Sequence, residues 1–80
     1  MANANGYLRI GELARRTGTS PELLRAWEQR YGLLRPSRSA GGFRLYSEDD
    51  KARILRTNQL IASGLSAAEA ARQAVTGETV

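Results

Sequence analysis

Apolar residues recur at helical spacing in four stretches of the chain, and turn-forming residues separate the stretches. Ile10, Leu13, Ala14 and Thr17 fall at i, i+3, i+4 and i+7, which predicts a helix over Ile10–Arg16 with Arg15 and Arg16 facing out. Arg9 is a poor cap for it, whereas Glu12 sits in the first turn where the helix dipole favours a carboxylate. Gly18 can end that helix in the left-handed conformation, and Ser20-Pro21 supplies an N-cap with proline at the first helical position. A second helix over Pro21–Tyr31 should end at Gly32, with Leu23, Leu24, Trp27 and Tyr31 inward and Glu22, Arg25, Ala26 and Gln29 outward. Two short helices joined by a glycine-containing turn make a helix-turn-helix. The period then changes. Pro36 rules out helix, Gly41-Gly42 signals a hairpin turn, and Phe43 and Leu45 alternate with Arg44 and Tyr46 as in a strand. A hairpin in the segment 35–46 carrying three arginines fits a wing.

Ser47-Glu48-Asp49-Asp50 combines a serine cap with three acids in a first turn, opening a third helix that runs to about Ser63. Its expected inward stripe is Ile54, Leu55, Ile61 and Ala62, with Leu60 off the stripe and open to a partner. After Gly64, Ser66-Ala67-Ala68-Glu69 is a second capping box, predicting a short fourth helix over Ala67–Val75 packed through Leu65, Ala70, Ala74 and Val75. Tyr7-Leu8-Arg9 reads as one short strand. The fold class is therefore mainly α with a small β-hairpin: a winged helix-turn-helix of about four helices over residues 7–75, between a disordered leader (1–6) and a loose tail (76–80).

Composition narrows the function. Eighty residues allow one small domain. There is no cysteine and no histidine, which removes disulfides, zinc-finger ligand sets, thiol nucleophiles and histidine bases together. No apolar run approaches the roughly 20 residues of a membrane span, so a cytoplasmic, nucleoid-associated protein without a membrane partner is expected. The net charge is +4, and eleven of the twelve basic residues are arginine. From Arg9 to Arg44 eight arginines face three acids, a net of +5; from Leu45 onward four basic residues face five acids. All the positive excess lies in the helix-turn-helix and wing. Arginine suits bidentate contacts with phosphate and guanine, so nucleic acid is the leading partner. On charge alone a solvated basic face is an equal reading.

The candidate chemistry agrees. Glu48, Asp49 and Asp50 point in different directions on a helix and cap it rather than share a metal or proton. No nucleophile, base and oxyanion set assembles, so no enzyme, no metal site and no cofactor are expected within the chain. Gly41-Gly42 is not followed by Gly-Lys-Ser/Thr, which argues against a nucleotide loop. Arg25 and Gln29 lie one turn apart on the outward face of the second helix and can reach base edges or phosphates. Thr19 and Ser20 offer hydroxyls and backbone N–H groups to a phosphate oxygen, a role compatible with capping. Glu28 reads as a structural acid that orients a neighbouring arginine. On the wing, Arg38 and Arg44 bracket the turn, Tyr46 supplies a phenol at its base, and Phe43 at the tip is either a core anchor or, preferentially, an apolar contact to sugar.

Ile10-Gly11-Glu12-Leu13-Ala14, Leu24-Arg25-Ala26-Trp27-Glu28, Gly32-Leu33-Leu34-x-Pro36-x-Arg38 and Gly42-Phe43-Arg44-Leu45-Tyr46-Ser47 together resemble the mercury-resistance-regulator (MerR) family, over Tyr7 to about Ala74. The resemblance implies the winged helix-turn-helix domain of a bacterial transcription regulator. It puts Arg25 in the major groove and Arg38, Arg44 and Tyr46 on the backbone from the wing. The common family pattern has an aromatic pair after the recognition-helix arginine and one fewer residue before the glycine. Here Ala26-Trp27-Glu28-Gln29-Arg30-Tyr31-Gly32 is closer to the branch of cobalamin-binding, light-responsive regulators. Family members continue into a dimerising helix and an effector domain, or into cobalamin-binding modules. The resemblance thus leads one to expect an isolated DNA-binding fragment or a minimal stand-alone relative, with cobalamin, homodimer contacts and the RNA polymerase context belonging to a parent protein.

The expected function is sequence-specific binding of double-stranded DNA, with recognition helix 21–31 in the major groove and wing 35–46 on the flanking minor groove and backbone. The alternatives are a protein-interaction module docking an acidic partner and an excisionase-like architectural DNA binder.

Overall fold

The computed structural model describes residues 6–76, so the tip of the expected leader (1–5) and the end of the expected tail (77–80) lie outside the described residues. Helix α1 spans Ile10–Thr17 and helix α2 spans Pro21–Tyr31. Strand β1 (Ser37–Arg38) pairs antiparallel with β2 (Arg44–Leu45), Ser37 opposite Leu45 and Arg38 opposite Arg44. Helices α3 (Glu48–Ala62) and α4 (Ala67–Thr76) complete the order.

The caps follow the local chemistry. Arg9, which has no acceptor to offer, caps α1 without a side-chain bond, whereas the Ser20 hydroxyl accepts the Leu23 N–H at 3.2 Å with Pro21 in the first turn. Gly18 and Gly32 close α1 and α2 at φ +64° and +62°, a region that costs a residue with a Cβ. Ser47 and Asp50 form a reciprocal capping box at α3. At α4 the Ser66 hydroxyl accepts the Glu69 N–H at 3.2 Å.

The core gathers Leu8, Leu13, Ala14, Leu24, Trp27, Leu33, Leu34, Tyr46, Ile54, Ala71 and Ala74, drawn from all four helices, the arm before α1 and the loop after α2. Two expected core assignments need correction. Leu23 is 42% exposed: it lies about 100° round the helix from Leu24, on the flank of a stripe centred on Leu24, Trp27 and Tyr31. On α3 the buried residues are Asp50, Arg53, Ile54 and Thr57, with Ile61 partly buried; Leu55 and Ala62 are exposed and Leu60 is half-buried. The stripe keeps helical spacing but is carried largely by polar side chains, which an apolar pattern does not reveal.

Those polar residues fix the wing's approach. Asp50 Oδ1 accepts the Arg53 guanidinium at 2.7 Å and the Arg35 N–H at 2.9 Å, while Arg53 Nε donates to the Leu33 carbonyl at 2.8 Å. The loop from Leu33 to Arg35 is thereby tied to α3, and no buried side-chain polar atom among the described residues lacks a partner. On the other side the arm pairs with the chain leaving the wing: Leu8 N–H donates to the Tyr46 carbonyl at 3.0 Å and Tyr46 N–H to the Leu8 carbonyl at 2.7 Å. The expected strand at Tyr7-Leu8-Arg9 is thus a single bridge, Leu8 to Tyr46. Gly6, at the edge of the expected leader, donates to the Ser37 hydroxyl, and a Cβ there would lie 2.0 Å from the Leu45 carbonyl oxygen. Tyr7 donates its hydroxyl to Glu48, joining the arm to the start of α3.

Candidate nucleic-acid interface

Arg9, Arg25, Arg38 and Arg44 line one open groove of roughly 330 Å³ between the arm, α2 and the hairpin, with Phe43 on its wall. Arg25 reaches it from the outward face of α2, and Arg38 and Arg44 face each other across the β1–β2 pair. Arg38 donates from Nη1 to the Gly42 carbonyl at 3.0 Å, which closes the tip of the hairpin and holds the guanidinium there. Arg44, half exposed, approaches Glu28 of α2 at 3.6 Å. Glu28 in turn accepts the Tyr46 hydroxyl at 2.8 Å. This acid therefore joins the helix to the wing, and burial together with the Glu28 bond pushes the Tyr46 phenol well above its ordinary pKa.

Three other arginines are paired with acids. Arg15 and Arg16 on α1 both bond Glu12, whose carboxyl is held below its ordinary pKa first by Arg16 and then by Arg15. Arg53 is buried against Asp50. No carboxylate pairs with Arg9, Arg25 or Arg38 among the described residues.

Among the residues the sequence singles out, Arg25, Arg38, Phe43, Arg44 and Tyr46 come together in the groove; Ser20 and Gln29 are exposed at other positions on or beside α2. Two of the singled-out residues are buried. Tyr46, at the base of the groove, is 1% exposed and donates its hydroxyl to Glu28. Thr19 is buried; its hydroxyl donates to the Thr17 carbonyl at 3.2 Å and accepts the Asn58 amide at 2.9 Å, pinning the turn before α2 to α3. Asn58 and Arg9 carry no signal in the sequence, because each acts through a contact remote along the chain. Among the described residues no group of three or more acidic side chains could hold a metal ion.

A hairpin and the second helix of a helix-turn-helix, sharing one arginine-lined surface, define the winged helix-turn-helix class of DNA-binding domains. Comparison with known proteins identifies the family: the profile described as "MerR HTH family regulatory protein" matches residues 8–74, and the chain belongs to that family. It is 46% identical over 71 residues to the HTH-type transcriptional repressor CarA of Myxococcus xanthus, covering 86% of this chain and 25% of that protein. It is 45% identical over 56 residues to the HTH-type transcriptional regulator MlrA of Escherichia coli (strain K12), covering 70% and 23% respectively. A solved MerR-family regulator from Bacillus cereus superposes with a TM-score of 0.73 at 27% identity, over 81% of this chain and 48% of that one. The chain spans about a quarter of the length of the curated relatives CarA and MlrA.

Proposed function

We propose that the domain reads double-stranded DNA with α2 in the major groove, Arg25 and Gln29 toward base edges, and the hairpin on the flanking backbone and minor groove through Arg38 and Arg44. The observation that carries this reading is the convergence of Arg25, Arg38 and Arg44, from two separate elements, on one groove. Arg25 and Arg38, which have no carboxylate partner among the described residues, suit phosphate and guanine, and the exposed Ser20 cap at the start of α2 is a further phosphate position. Recognition of this kind is carried by protein side chains and needs no cofactor or catalytic step. Within a longer regulator the domain works in the cytoplasm as one half of a dimer, beside RNA polymerase, with any effector such as cobalamin bound elsewhere.

A protein-docking surface is disfavoured by the same geometry, since such surfaces favour aromatic and apolar cores, whereas here Trp27 is buried and the groove is walled by arginines. Gel shift with a random-sequence duplex at two salt concentrations, followed by selection of bound sites from a random pool, tests the proposal. A salt-sensitive shift and an enriched half-site are expected; an unshifted duplex at low salt would overturn it.

A further inference from the structure

Arg9 is the cation of the groove that neither the helix-turn-helix pattern nor the wing pattern accounts for. It stands at the N-cap of α1 with extended backbone (φ −75°, ψ 161°), where a capping side chain is expected, and makes no cap bond. Instead its guanidinium carbon lies 4.1 Å from the centroid of the Phe43 ring at the wing tip. A guanidinium over a ring is held by the π face, a contact that uses none of its N–H donors. Stacking thus fixes the side chain without consuming its donors, and Arg9 enters the groove beside Arg25, Arg38 and Arg44. The ring is itself 52% exposed, so no core packing explains its position.

We infer that Arg9 is a further DNA-phosphate contact and that Phe43 is its platform, the pair extending the interface from the wing to the arm before α1. The inference rests on the DNA-binding reading above. Arg9 anchors the arm side of the groove, and Phe43 acts through Arg9 instead of inserting into DNA.

Fluorescence anisotropy of the 80-residue chain with a random-sequence duplex, between about 50 and 200 mM salt, tests this with Arg9→Ala, Arg9→Lys, Phe43→Leu and the Arg9→Ala/Phe43→Leu double variant. Arg9→Ala should weaken binding about 3- to 10-fold at the lower salt and reduce the magnitude of the log K against log salt slope by about 0.9, the loss of one phosphate. Arg9→Lys keeps the charge and should keep the slope while losing part of the affinity, because an ammonium lacks the planar fork. Phe43→Leu should weaken binding, and the double variant should bind like Arg9→Ala alone, since the ring's effect passes through the guanidinium. Arg44→Ala, measured in parallel, separates the two levels of argument. Loss of binding in Arg44→Ala with Arg9→Ala unchanged in affinity and slope overturns the assignment of Arg9 and leaves DNA binding standing. Equal, independent losses from Phe43→Leu in the presence and absence of Arg9 would overturn the platform role. A wild-type chain that leaves the duplex unbound would overturn both.

Discussion

At the scale of single residues, the arginines divide by what faces them. Arg15 and Arg16 share Glu12, Arg53 is locked to Asp50, and Arg25 enters the groove without a carboxylate. Arg25→Ala should therefore leave the melting temperature nearly unchanged and cost about 1–3 kcal/mol of binding to a selected site, with less loss on random duplex; competition titrations with the two duplexes measure the difference. Equal losses on both would move Arg25 from base reading to phosphate holding. Tyr46 makes a different prediction. Its phenol is pushed up by burial and then by Glu28, so the folded state holds this proton more tightly than the unfolded chain. The resulting stability is complete below the unfolded value of about 10 and declines as pH rises above it. Denaturant titrations at increasing alkaline pH should show that decline, and Tyr46→Phe should flatten it. Arg25 was legible in the sequence because an outward position follows from helix spacing alone. The burial of Tyr46 was not, because strand alternation put it on the same face as Arg44, and only the distant Leu8 bridge and Glu28 turn it inward.

At the scale of elements, those with strong local chemistry were readable: both glycine-terminated helices, the serine caps of α2, α3 and α4, and the hairpin at Gly41-Gly42. Helix α3 shows where that reading stops. Its inward stripe contains an ion pair, so counting apolar residues rotated the helix toward Leu55 and Ala62. The Asp50–Arg53 pair ties α3 to the Leu33–Arg35 loop, and that loop delivers the wing to α2. Asp50→Ala would remove the carboxylate that pairs with the buried Arg53 guanidinium and the acceptors of the Arg35 and Ser47 N–H groups. Breaking such a pair costs about 3–5 kcal/mol, a large share of the stability of so small a domain. Chemical denaturation should show a midpoint far below that of the wild type. Should Asp50→Ala unfold with the wild-type midpoint, α3 does not hold the wing as described.

At the scale of the whole molecule, charge segregation becomes a shape. Four of the eight arginines between Arg9 and Arg44 line an open groove on the side of α2 and the wing, whereas the half from Leu45 onward supplies the support: Asp50, Arg53 and Asn58 hold the loop and the turn from behind. Charge counting singled out the half of the chain that forms the groove but not the surface, because the arm, α2 and the wing meet only through contacts distant in sequence, Leu8 with Tyr46 and Arg44 with Glu28. The groove sets the salt response. Arg9, Arg38 and Arg44, the groove arginines assigned to the backbone, with the Ser20 end of α2 as a further phosphate position, correspond to about three to four neutralised phosphates, and each contributes about −0.9 to the slope of log K against log salt. A slope near −3 is therefore expected for a single domain on random duplex, measured by anisotropy over a salt series. A slope near −1 would mean that the guanidinium groups do not engage the backbone together. Since α2 and one wing address one half-site, the 80-residue chain should protect a single half-site, and a tethered pair of domains should tighten binding steeply only when two half-sites lie about one helical turn, or a multiple of it, apart. Varying that spacing by half a turn separates two domains on one face of the duplex from two that bind independently, because only the first arrangement loses affinity when the second site rotates to the far side.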